Sequence, residues 1–456
     1  MRCVQAVDAI ARDFIPEGRV FGYYLDLAWR SLKRTPILTG LMVLAIGLGI
    51  GASMTMITVL YVMSGDPLPE RSAKLFVPML DPRSLQHAAN AHTGVNGTPD
   101  GFTWTDAMNL LHAGRADRQA AMDAGSVAIR PPQVDLHPFF ELGQYATSDF
   151  FSMFGASFRA GSGWTKQQDR DRARVVVLNT ALDRKLFGSA TGIGRTISLN
   201  DTDFRVIGVV DDWHPQPAFY VQHRGHVFGE ADQFFLPLQT ALELKFSFDD
   251  HLSCWGSGEN GRKTGYCTWL QFWVKLDSPI KVAAYRRFLD DYWHEQQDHG
   301  RFPLKDRPPH LYDLMAWLAH ERIIPANLSM QMWLAIGFLT VCMLSVVALL
   351  LAKFLRRSGE ISVRRAMGAR RRDVFVQFGV ESALIGTTCG LLGLVIAQCG
   401  LWSIRQRPDG YAHLAQMEVP MLVGTVLLAI VASVLAGLLP AWRACLIPPA
   451  LQLKSQ

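Results

Sequence analysis

The chain has 456 residues, of which 49% are hydrophobic and 19% charged, with a formal net charge of +5. Globular chains carry about 25% charged residues, so a mean hydropathy of +0.12 is high. This balance excludes a disordered chain, a collagen-like chain and a small disulfide scaffold, and the mild positive excess gives no reason to expect nucleic acid.

Residues 17–36 place Phe21, Tyr24, Leu25, Ala28, Trp29 and Leu32 on one helical face. Nearby basic residues, Tyr and Trp predict an amphipathic helix lying on the inner membrane surface within segment 1–36. The alternative is an inward continuation of the helix that follows, but Pro36 argues for a break. From Ile37 to Met63 there is no charge in 27 residues. A helix needs about 20 apolar residues to cross the hydrocarbon core. A cleaved signal peptide has an apolar core of about 7–15 residues, so this longer run reads as a retained anchor.

Residues 64–329 form a polar segment large enough for one or two domains. The stretch 173–188 reads as a strand followed by a helix, and 194–210 as a hairpin turning at Asn200-Asp201. Amphipathic helical patterns fall near 103–112 and 281–293, so the expected class is α+β. Cys254 and Cys267 are the two cysteines of this segment. In an oxidising compartment they are candidates for a disulfide, the alternative being two buried thiols. All 13 histidines lie in the segments outside the apolar spans. His223 and His226, or His294-Glu295 with His299, raise a metal site, yet the second set misses the four-residue spacing of a zinc helix. Surface histidines are the better reading, and no metal is expected. In GSGENGRKT (256–264), Arg262 interrupts the nearest approach to a phosphate-binding loop. No nucleophile–base set stands out, and no catalytic residue is expected.

Three further apolar spans follow at 330–352, 380–402 and 420–442, with Glu381 the one charge, at the entrance of the third span overall. The loop 353–379 carries Lys353, Arg356, Arg357, Arg364, Arg365, Arg370, Arg371 and Arg372 against Glu360 and Asp373. Basic short loops stay inside. This loop and both termini, including 443–456, are therefore expected on the cytoplasmic side, with 64–329 and the 403–419 hairpin outside. Gly47-x-x-x-Gly51 and Gly386-x-x-x-Gly390 would let helices pack closely, within the chain or across a dimer seam.

The run Glu360-Ile361-Ser362-Val363-Arg364-Arg365-Ala366-Met367-Gly368-Ala369 reads as a basic amphipathic helix with a glycine break, suited to docking on an acidic surface. The same pattern resembles the E-x-x-x-R-R-A-x-G-A signature of MacB/FtsX-type ABC transporter permeases. Leu439-Pro440-Ala441-Trp442-Arg443-Ala444 with Pro448-Pro449-Ala450-Leu451 is similar to that family's terminus. YATSDFFSMFGASFRAG (145–161) and the stretches 175–188 and 193–210 resemble pieces of the MacB-type periplasmic core domain.

The resemblance implies an α-helical membrane protein with four transmembrane helices and a large α+β periplasmic domain inserted between the first and second. Residues 330–450 would form the FtsX-like permease part, and the protein would sit in the bacterial inner membrane. It also implies a non-catalytic subunit that binds no cofactor itself, with ATP and Mg used by a separate ABC ATPase. The permease would pair with a second copy or a related permease, in contact with membrane lipids. A periplasmic adaptor and an outer-membrane duct are candidate partners. Glu360, Arg364, Arg365 and Gly368 would form or flank the ATPase-docking helix. Export of peptides or antibiotics is the first expectation; lipoprotein release and regulation of cell-wall hydrolases are the alternatives.

Overall fold

The computed structural model describes residues 30, 33, 36–84, 99, 101–132, 137–221, 227–248, 252–255, 261–323, 326–356, 371–406 and 419–446. The expected surface helix at 17–36 lies almost wholly outside them; Arg30, Lys33 and Pro36, which are described, are helical. Two compact units divide the chain, one formed by Met1–Val62 with Pro325–Gln456 and the other by Met63–Ile324. Helix α1 (Pro36–Ser64) opens the described part.

The second unit is built on one sheet. Its strands are β1 (Leu75–Met79), β2 (Phe102–Thr103), β3 (Arg118–Arg130), β4 (Phe139–Ala146), β5 (Phe158–Gly161), β6 (Val175–Asn179) and β7 (Thr196–Leu199). They continue with β8 (Thr202–Val210), β9 (Phe234–Pro237), β10 (Ser247–Phe248), β11 (Ser253–Cys254), β12 (Cys267–Lys275) and β13 (His310–Asp313). The main order is β13-β1-β12-β3-β4-β9-β6-β8-β5. The helices are α2 (Trp104–Ala113), α3 (Phe150–Phe154), α4 (Lys166–Arg170), α5 (Thr180–Phe187), α6 (Leu238–Glu243), α7 (Pro279–Asp298) and α8 (Leu314–His320).

Local chemistry sets several of these elements. Asn179 ends β6 and caps α5 by accepting the Leu182 N–H at 2.7 Å. This gives the strand-then-helix unit that leads to the parallel neighbour β8. Asn200 and Asp201 both take positive φ, 47° and 60°, the geometry of the two-residue turn whose twist matches its flanking strands. Gly155, with φ 78°, closes α3 in the left-handed conformation that residues with a Cβ resist.

The strands are apolar on both faces because the sheet carries a core on each side. Along β6, Val176 and Leu178 enter one core with α2, α5, α6 and α7, while Val175 and Val177 enter the other with α3 and α8. Phe272 and Trp273 on β12 divide in the same way. In the second core the Phe150 ring meets Phe154, Trp213, Tyr220 and Phe235 at centroid distances of 5.0 to 5.7 Å. Edge-on contacts of this kind add to plain burial.

The first unit is helical: α1 is joined by α9 (Ala326–Arg356), α10 (Arg371–Arg405) and α11 (Val419–Leu446). Among the described residues, three helices are long and apolar enough to cross a membrane, over Thr39–Ser64, Met330–Leu349 and Gly379–Arg405. Within α11 the described apolar stretch is shorter, Met421–Ala436.

Candidate functional site

The glycines of α1 face two different neighbours. A Cβ on Gly47 would lie 2.9 Å from Leu392 of α10, and one on Gly51 would lie 2.6 Å from Ile396. Gly49 instead meets Leu339 and Cys342 of α9, where a Cβ would come within 3.2 Å. Residues four apart share a helix face and residues two apart do not, so alternating glycines let α1 lie close to both helices. Ser53 strengthens the α9 contact by donating its hydroxyl to the Ala335 carbonyl at 3.0 Å.

Gly386 and Gly390 of α10 turn to α11. A Cβ on Gly386 would stand 2.8 Å from the Ile430 Cα, and one on Gly390 would stand 3.1 Å from the Ala429 Cβ. The seam that both glycine pairs build is therefore between helices of one chain. The spacing pointed to Gly47, Gly51, Gly386 and Gly390 but missed Gly49, because i and i+2 glycines form no single-face pattern. It also missed Gly393 and Gly400, which press on Ile50 and Thr55 from the α10 side.

Unlike Ser53, Thr55 and Thr425 turn their hydroxyls back on their own helices, which satisfies them in apolar surroundings. Thr55 donates to the Gly51 carbonyl at 2.8 Å, and Thr425 to Met421 at 2.7 Å. Glu381 is buried in α10 beside Ser382, 1% and 2% exposed. A carboxyl inside a membrane helix is costly and is kept for a reason. The expected coupling residues Glu360, Arg364, Arg365 and Gly368 lie outside the described residues.

In the sheet unit, Cys254 and Cys267 stand opposite each other in the β11–β12 register and are joined by a disulfide. Next to it, Gly261–Thr264 form a turn, with Thr264 donating to the Gly261 carbonyl at 2.8 Å. The Arg262 guanidinium lies 4.7 Å from the Phe248 ring centroid, and its carbonyl accepts the Trp269 indole N–H at 2.7 Å. Arg262 thus serves as a packing residue here. Among the described residues no set of three His, Cys, Asp or Glu side chains could hold a metal ion; His223 and His226 lie outside them.

A buried charge cluster ties helices to this unit. Asp106, 1% exposed, accepts from the Thr103 hydroxyl at 2.5 Å and from the Tyr292 hydroxyl at 2.6 Å. The Arg301 guanidinium stands 2.9 Å from the same carboxylate and also donates to Gln296 at 2.7 Å. Together they link α2, α7 and the chain beyond α7.

Two other carboxyls respond to their surroundings in opposite directions. Burial pushes the Asp169 carboxyl up to about 6, against the pull of the Ser148 N–H that it accepts at 2.6 Å. Burial also acts to raise Asp81, but Arg83 and Arg307 outweigh it and hold this carboxyl below its ordinary value. Asp81 therefore gives stability that is present above about pH 4 and lost as pH falls. Asp169 gives stability that is present below about pH 4 and lost as pH rises through about 6. Between about pH 4.5 and 7.5, Asp169→Asn should remove a pH-dependent loss on the order of 2 kcal/mol. Hydrogen exchange in the 145–154 segment checks this: the wild type should exchange faster at the higher pH once intrinsic rates are corrected, and the variant should not.

An apolar helical bundle joined to a separate α+β unit defines a membrane-anchored protein with a large extramembrane domain. Residues 39–292 match the MacB-like periplasmic core domain family, and residues 332–449 match the FtsX-like permease C-terminal family. The first match alone takes in more than half of the chain, so the chain belongs to the MacB/FtsX family of ABC transporter permeases. The α+β unit is thus a periplasmic domain of the MacB type.

Among curated relatives, the macrolide export ATP-binding/permease protein MacB of Salmonella typhi is 23% identical over 456 residues, covering 98% of this chain and 63% of the relative. MacB of Escherichia coli K12 is 24% identical, covering 92% and 58%. The pyoverdine export ATP-binding/permease protein PvdT of Pseudomonas aeruginosa is 25% identical, covering 74% and 45%. The chain therefore spans less than two thirds of the length of these relatives. Among solved structures, the periplasmic region of MacB from Actinobacillus actinomycetemcomitans is similar at 14% identity and a TM-score of 0.35, covering 54% of this chain and 92% of that one.

Proposed function

We propose that the chain is the permease subunit of an ABC transporter, with ATP hydrolysed by a separate ATPase subunit that also holds the Mg. Motion of the bundle would pass to the periplasmic domain and drive export of peptides, antibiotics or similar substrates. The observation that carries this reading is the match of one chain to both the MacB-like periplasmic core domain and the FtsX-like permease part.

In this reading α11 is a fourth crossing, the periplasmic domain is inserted between the first two, and both termini face the cytoplasm of an inner-membrane protein. The uncovered apolar side chains of α9, such as Trp333, Leu334 and Leu344, suit lipid hydrocarbon. Close glycine seams would let the helices move as one body, so that displacement at the cytoplasmic end reaches the periplasmic one. A second copy or a related permease would complete the transporter, with an adaptor and an outer-membrane duct as further partners.

The basic segment holding Arg364 and Arg365, with Glu360 and Gly368, would dock on the ATPase. Arg364→Glu should then leave insertion intact and ATP hydrolysis running while export falls. Subunit association should also weaken as salt rises. Vesicle transport with parallel ATPase assays reads this directly, and normal export by the variant overturns the assignment of the docking segment.

A further inference from the structure

The register of α1 against α9 fixes how far the chain rises above the hydrocarbon before the periplasmic domain begins. Ser53 of α1 donates to the Ala335 carbonyl of α9, and Gly49, four residues earlier, meets Leu339, four residues later. The two helices are therefore antiparallel, and the same register sets Met330 level with Thr58. Met330 opens the apolar run of α9, whose 20 residues to Leu349 span about 30 Å, the thickness of the hydrocarbon core. Beyond Thr58, α1 continues only to Ser64, about 9 Å further, and Val59 to Met63 carry no charge. The headgroup layer outside the core is about 5–8 Å deep. The helix thus ends among the headgroups, with no polar stalk.

The domain begins close to that level. Leu68 is four residues past Ser64, at most about 14 Å away, and already packs against the second core. Ile323, where the chain leaves the domain, packs against the same core. The chain enters the sheet at the start of β1. There Lys275 ends β12 opposite Leu75, and Asp313 ends β13 opposite Phe76. The helices that follow these two strands, α7 and α8, therefore both start at the tethered end. Each shows water an apolar side chain in its first turn: Ile280 of α7 is 80% exposed and Met315 of α8 is 40% exposed. The nearby charges stand in pairs, Lys74 with Asp277 and Lys281 with Asp117.

We propose that this end of the periplasmic domain rests on the membrane, with Ile280 and Met315 seated at the boundary between headgroups and acyl chains. Apolar side chains placed there leave water without needing a protein partner, and lipid is the neighbour that the chain itself brings to this end. The paired charges leave the surface near neutral, so a zwitterionic bilayer suffices. The proposal rests on the reading that α1 and α9 cross the membrane, and it needs neither cargo nor ATPase.

The test uses the full chain in nanodiscs of zwitterionic lipid, with the photoreactive residue p-benzoylphenylalanine in place of Ile280, Met315, Leu334 or Phe140, one at a time. All four side chains are exposed, so the replacements leave the cores intact. Leu334, inside the apolar run of α9, reports the crossing itself. Phe140 is an exposed apolar control on β4, four strands from β13, or about 19 Å across the sheet. After illumination, mass spectrometry should find lipid adducts at 280 and 315 within several-fold of the yield at 334, and about tenfold above the yield at 140. Adducts at 334 with either 280 or 315 no higher than 140 overturn the membrane seat and leave the crossing in place. No adducts at 334 overturn the crossing, and the seat with it.

Discussion

Gly386→Leu should unseat α11 from α10 and cost on the order of 3 kcal/mol, the upper end of what overpacking usually takes. The reason is the identity of the obstructing atom. A Cβ at this position would meet the Ile430 Cα at 2.8 Å and the Ala429 carbonyl oxygen at 3.1 Å. Backbone atoms cannot swing aside as a side-chain end can, so the helices must separate and lose the contacts that hold them in an apolar solvent. Gly424→Leu is the matched control, because nothing lies within 4 Å of its Cβ position. Unfolding titrations of purified chain should show a large loss for the first and little for the second. Equal losses would mean that the seam tolerates separation and that close approach at Gly386 is incidental.

The contrast between these two glycines shows where sequence reasoning stops. The charge-free run from Ile37 to Met63 is legible because length and composition suffice for a membrane helix. The turn at Asn200-Asp201 and the β6–α5 unit are legible because their geometry is local. Gly386 is marked in sequence by its spacing from Gly390 and Gly424 has no glycine four residues away, but that Gly386 faces the backbone of α11 while Gly424 faces open space is shown only by packing. The same holds for the sheet: a run such as Val175–Leu178 reads as a strand, but nothing in it says that alternate side chains enter two different cores. The pairings β12–β3 and β4–β9 join segments far apart in the chain, and periodicity carries no such information. The basic segment 353–370 is the reverse case, legible in sequence by charge and pattern while Glu360, Arg364, Arg365 and Gly368 lie outside the described residues.

Asp106→Ala should strongly destabilise the periplasmic domain, at about 3–5 kcal/mol, the range for breaking a buried ion pair from one side. The loss comes less from the vanished attraction than from what stays behind. The Arg301 guanidinium, 23% exposed, would keep its bond to Gln296 but lose its counter-charge. The Tyr292 hydroxyl, which donates to Asp106 at 2.6 Å, would have to find another acceptor. Because Thr103 both starts α2 and bonds to Asp106, the start of α2 would loosen as well. Asp106→Asn keeps the acceptor and should cost less. The decisive comparison is a double variant, Asp106→Leu with Arg301→Met, which removes both charges and fills the space with apolar atoms. If uncompensated charge is the cause, the double variant should be more stable than Asp106→Ala alone. Denaturant unfolding of the full chain, with hydrogen exchange in the 104–113 and 285–301 segments, separates the cases. Additive losses in the double variant would instead assign the cost to packing around α2 and α7.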